Sequence, residues 1–89
     1  MIKITQANYL KDKIIQLHFS DGSWGLYDCQ TLIDKQSILV TPLETEIFFK
    51  GFYLELGALC WRNGLELSPS NIHRKLQQQH LLHHPEQAA

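Results

Sequence analysis

Two dipeptides constrain this chain more than anything else in it. Asp21-Gly22 and Asn63-Gly64 each stand between runs of alternating apolar and polar residues. Glycine enters the positive-φ region freely, and a short Asp or Asn side chain tolerates it, so each pair marks a tight hairpin. The spacing predicts a type I′ turn at Asp21-Gly22, with positive φ at both central residues. On its N-terminal side, Lys13 to Phe19 places Ile15, Leu17 and Phe19 on one face and Ile14, Gln16 and His18 on the other. Met1 to Tyr9 alternates in the same way, with Ile2, Ile4 and Ala7 or Tyr9 inward, and Leu10-Lys11-Asp12 forms the link. Trp24, Leu26 and Asp28 continue a third strand, so the first third reads as an antiparallel meander.

The second half changes period. Leu32 and Ile33 anchor a short helical turn within an irregular stretch. Thr41-Pro42-Leu43-Glu44 reads as a helix start, with Thr41 as the cap, Pro42 at the first position and Glu44 completing a capping box. The helix is expected over Pro42 to Phe49, with Leu43 and Ile47 on its apolar face and Gly51 as a left-handed C-cap. Phe52, Leu54 and Leu56 then alternate, Gly57 turns, Leu59-Cys60-Trp61 returns, and a brief strand covers Leu65 to Leu67. Ser68-Pro69 starts the last helix, with Ile72, Leu76 and Leu81 toward the sheet. The order β-β-β-α-β-β-(β)-α predicts an α+β fold: an antiparallel sheet built from hairpins, with two short helices packed on one face. Residues 1–76 form the single domain, and residues 77–89 read as a Gln/His-rich, partly disordered tail.

A chain of 89 residues supports one thin core, burying roughly 60–65% of its unfolded surface. Eight Lys and Arg against nine Asp and Glu lack the footprint of direct nucleic-acid binding. Arg62, Arg74 and Lys75 make at best a small patch, offset by Glu66. No segment approaches the roughly 18 apolar residues of a membrane span, and the alternating N-terminus is unlike a signal peptide, so a cytoplasmic location is expected. Without export no disulfide is expected. Cys60, beside Trp61 in an apolar segment, reads as a buried, inert thiol, and Asp28 next to Cys29 would raise that thiol's pKa, the wrong direction for a nucleophile.

Few side chains carry chemistry. His80 and His84 would share a face, one heptad from His73, if the last helix continued; they are the weak metal candidates, lacking a fourth ligand. Asp21 and Asp28 are explained by turns, and Cys29 with His18 is the one nucleophile–base pair to weigh, with no pattern joining them. No enzymatic activity and no cofactor are expected. The aromatic residues exceed what one small core easily hides. Trp24, Tyr27, Phe49, Tyr53 and Trp61, with Arg62, are therefore candidates for an interaction surface.

Phe19-Ser20-Asp21-Gly22 is followed by Gly25 and Asp28, then by Pro42-Leu43 and Phe48 or Phe49, and finally by Trp61-Arg62-Asn63-Gly64-Leu65-Glu66-Leu67-Ser68-Pro69. In this order and spacing, covering residues 1 to about 75, the chain resembles the bacterial family called domain of unknown function 2442. It departs at Arg62, where the family commonly has proline, and in its Gln/His tail. The resemblance implies a small α+β domain without an established activity or catalytic residues. Some relatives carry an added helix-turn-helix domain, for which the ~20 residues after Ser68 are too few, so direct DNA reading is not inherited. Small relatives are often encoded beside another short protein in toxin–antitoxin-like pairs. The expectation is a protein–protein interaction module with a protein partner or a second copy of itself, acting through an aromatic face or an open strand edge such as Ile2 to Tyr9. The alternatives are a regulatory module serving a DNA-binding partner and a metal-responsive domain using the tail.

Overall fold

The computed structural model describes residues 1–85. Strands β1 (Ile4–Lys11), β2 (Ile14–Phe19) and β3 (Trp24–Asp28) form an antiparallel sheet in that order. Ile15, Leu17 and Phe19 point inward together, as their period-two spacing requires, and Gly25 and Tyr27 of β3 face the same way. Irregularities in pairing near Thr5 and Leu10 bend β1.

The turns are distributed differently from the expectation. The residues at positive φ in the first hairpin are Asp12 (51°) and Lys13 (66°), with Lys11 opposite Ile14. Positive φ at both central positions is the type I′ signature, here with no glycine. At Asp21-Gly22 only Gly22 is positive, at 88°. Gly22 N–H donates to Phe19 C=O and Phe19 N–H to Ser23 C=O. That is a three-residue loop ending in a left-handed glycine, not the expected type I′ turn. Asn63-Gly64 repeats it: Gly64 N–H donates to Trp61 C=O, Trp61 N–H to Leu65 C=O, and φ of Gly64 is 93°. In both loops the Asx oxygen accepts the N–H two residues on, Asp21 from Ser23 at 2.9 Å and Asn63 from Leu65 at 3.2 Å. An Asx side chain in this bond holds its own backbone on the ordinary side, leaving positive φ to the glycine.

After β3 comes a single turn of helix, α1 (Gln30–Ile33), which buries Ile33. The expected helix over Pro42 to Phe49 is instead two pieces, a 3-10 turn at Thr41–Glu44 and α2 (Glu46–Phe49), parted by extended Thr45 at φ −80°, ψ 121°. Thr41 does not cap: its hydroxyl donates to Ser37 C=O, so the expected capping box with Glu44 does not form. Gly51 is not left-handed. The break at Thr45 turns Ile47 outward, 86% exposed, while Leu43 and Phe49 stay fully buried.

Strands β4 (Tyr53–Glu55), β5 (Ala58–Cys60) and β6 (Glu66–Leu67) make a second antiparallel sheet, so the expected α+β element order stands with the strands shared between two sheets. Helix α3 (Pro69–Gln78) opens as read: Ser68 Oγ accepts from Asn71 N–H at 3.3 Å, Pro69 takes the first turn, and Ile72 and Leu76 are buried. Ile4 N–H donates to Gly57 C=O at 2.9 Å, tying the first sheet to the β4–β5 turn. Ile15, Leu17, Leu43, Phe49, Leu59, Trp61 and Leu76 meet in one core. Cys60 is buried and free, as expected, and so is Cys29.

Candidate functional site

Of the expected Gln/His-rich tail, residues 77–85 are described, and residues 86–89 lie outside the described residues. Helix α3 runs through Gln78, and His80 at φ 59° reverses the chain. Trp24 N–H then donates to His83 C=O at 2.9 Å and His83 N–H to Trp24 C=O at 2.8 Å, an antiparallel bridge on the outer edge of β3. The rings follow the backbone: His83 stacks on Trp24 at 4.2 Å and 18°, and His18, opposite Trp24 on β2, stacks on its other side at 6.1 Å and 25°. Gly25 permits the crossing, since a Cβ there would lie 2.9 Å from Leu81 C=O.

The bridge covers one position only. Leu81 N–H donates to Leu76 C=O, turning the tail back to α3. Backbone groups alternate in direction along a strand, so Leu26 and Asp28 send their N–H and C=O to the same outer edge as Trp24. Beside that edge lies a groove of about 500 Å³ between β3, α1 and α3. Leu26, Leu32, Leu76 and Leu81 supply its apolar surface, and Leu26 and Leu81 are 41% and 46% exposed. Lys35 and Lys75 line it with Asp28, whose Oδ1 already accepts Gln30 N–H at 2.9 Å.

The aromatic interaction candidates divide. Tyr53 and Arg62 are exposed and Trp24 is half-buried under the tail, but Phe49 and Trp61 are core residues and form no surface, and Tyr27 is buried apart from the edge it gives to the groove. Trp61 Nε1–H donates to Phe49 C=O at 2.8 Å, fixing the indole among Phe49 and Phe52. Burial first, and then neighbouring Cys29, pushes the Tyr27 phenol up to about 12.

The histidine candidates separate too. Because α3 stops at Gln78, His80 and His84 do not share a helical face, and His73 turns away to Asp21. Among the described residues no group of three or more His, Cys, Asp or Glu is placed to hold a metal ion. His18 lies opposite Trp24, whereas Cys29 follows the far end of β3 and bonds to Lys13, so the nucleophile–base pair is not assembled. Burial, and secondarily Asp28, raises the Cys29 thiol to about 12. Cys60 is also raised, by burial and then by Glu66 and Glu55.

The groove residues share no signal that sequence reasoning can find. Lys35, Lys75, Leu26 and Leu81 come from separate segments, and the one local hint is the apolar pair Leu81-Leu82 inside a polar tail. No family model, curated protein or solved structure matches this chain. No helix among the described residues is long and apolar enough to cross a membrane.

Proposed function

We propose that this chain is a cytoplasmic, non-enzymatic protein-binding module that docks its partner in the groove beside β3. In this reading it is one member of an operon-encoded pair, as the resemblance to domain of unknown function 2442 implies. The carrying observation is the groove itself: exposed leucines of β3 and the tail, two lysines, and strand-edge backbone groups converge on one concavity. Apolar surface combined with directed polar groups is the usual composition of a recognition site. The two thiols support a non-enzymatic role, since both are buried and held protonated.

The test is calorimetric titration with the protein encoded beside this one. Leu26→Arg should weaken binding by roughly tenfold or more, while Ile47→Arg, at an exposed position of α2 outside the groove, should leave it unchanged. Binding that tolerates Leu26→Arg and fails with Ile47→Arg would move the interface elsewhere and overturn the reading.

A further inference from the structure

We infer that the groove takes an extended acidic segment of the partner, which adds as a further strand to the outer edge of β3 at Leu26 and Asp28. This rests on the groove being the docking site and specifies how it is filled. The edge already accepts a strand, because the chain's own tail pairs with it at Trp24 through two backbone bonds. The tail cannot extend that pairing, since Leu81 N–H is held by Leu76 C=O. The next outward-facing positions, Leu26 and Asp28, therefore present strand-edge groups directly to the groove. A helical partner could not use them, because its own N–H and C=O groups are bonded internally. Backbone bonding thus selects an extended segment, and alternate side chains would meet Leu26, Leu32 and Leu81.

Charge selects the sign. Lys35 and Lys75 face the groove against the single carboxylate of Asp28, part of which is committed to Gln30 N–H. An acidic side chain standing outward from the added strand meets two flexible ammonium groups, which serve as point charges for a carboxylate without demanding one geometry.

The experiment follows amide exchange by NMR in the full chain, with a short synthetic peptide alternating valine and glutamate as the probe. Exchange at the Leu26 amide should slow by roughly tenfold or more on binding. Methylating alternate peptide nitrogens should abolish that protection, and replacing glutamate by lysine should weaken binding. The double variant Lys35→Glu, Lys75→Glu should reverse the charge preference. Equal binding of the N-methylated peptide, of an acidic helical peptide or of decanoate would overturn strand addition. So would concentration-dependent protection of Leu26 in the chain alone, with a dimeric mass, which would make a second copy the occupant. If the natural partner still needs Leu26 while Leu26 shows no protection, the strand mode fails and the groove stands. If Leu26→Arg leaves partner binding intact, the docking site itself fails.

Discussion

His73 and Asp21 stand 52 positions apart in the chain and meet at 2.9 Å between Nε2 and Oδ2. The other oxygen of Asp21 accepts from Ser23 twice, the hydroxyl at 2.6 Å and the N–H at 2.9 Å. A single carboxylate therefore closes the β2–β3 loop and holds α3 against it. An ionised carboxylate only accepts, so Nε2 of His73 carries the proton. The imidazole also stands edge-on to Phe19, with centroids 5.0 Å apart. The residue read as a possible metal ligand is thereby a clasp between the last helix and the first sheet.

This clasp predicts the acid limb of stability. Burial alone would raise Asp21, but the Ser23 hydroxyl and N–H and the His73 ring outweigh it, bringing the carboxyl from 3.8 to about 2. The unfolded state then takes up its proton first, so the contribution is complete above pH 3.8 and is lost as pH falls toward 2. Urea unfolding across that window should show a falling stability in the wild type and a flatter slope in Asp21→Asn. Identical slopes would remove Asp21 from the acid response.

The alkaline limb has the opposite origin. Burial holds the Cys29 thiol at about 12 against 9.0, and the Tyr27 phenol at about 12 against 10.0. Both raised groups favour folding fully below their unfolded values, and that support drains as pH climbs toward 12. Phenolate absorbance should show an ionisation step near pH 12, and Tyr27→Phe should remove it. Near neutral pH, neither thiol should react with a disulfide reagent until the chain is denatured.

Trp61 and Trp24 should respond unequally to the same substitution. Trp61→Phe orphans the buried Phe49 carbonyl and leaves a space in the core, costing about 2–4 kcal/mol. Trp24→Phe keeps a ring for His83 to stack on at a half-buried site and should cost about 1 kcal/mol or less. Urea midpoints at unchanged slope measure both, and equal losses would contradict the core assignment of Trp61.

Two alanine substitutions separate backbone strain from crowding. A methyl group added at Gly64 would have no neighbour within 4 Å, so Gly64→Ala meets only the positive-φ penalty, about 1 kcal/mol. A Cβ on Gly57 would lie 2.6 Å from Lys3 Cβ and 3.2 Å from its Cα, so Gly57→Ala should cost about 2–3 kcal/mol. Thermal melts that rank them in reverse would deny the approach of the β4–β5 turn to β1.

Local chemistry makes much of the fold legible. Ile15, Leu17 and Phe19 announce an inward face by alternation, and Ser68-Pro69 announces a helix whose cap forms as expected. Thr41-Pro42 carries a similar start signal that fails, because Ser37 C=O captures the Thr41 hydroxyl and Thr45 stays extended. Start signals state what one turn prefers, and a nearby acceptor can override them. Of the groove's lining, only Tyr27 stands among the aromatic candidates of the sequence, and Trp24 only borders it; the same aromatic count points outward to Phe49 and Trp61, which the core absorbs.

The amino-acid order by itself determined where the two glycine-containing hairpins fall, which side chains of each strand share a face, and where the last helix begins. These depend on residues within a few positions of one another, whose φ preferences and periodicity act before any distant contact exists. Tertiary structure decided the division into two sheets, the return of the tail to Trp24 and the meeting of His73 with Asp21. Each of these pairs groups far apart in sequence, and their energy comes from desolvation and hydrogen bonding that arise only when the core closes. The groove belongs to the same class: Leu26, Lys35 and Lys75 acquire a common purpose only through the packing of β3, α1 and α3.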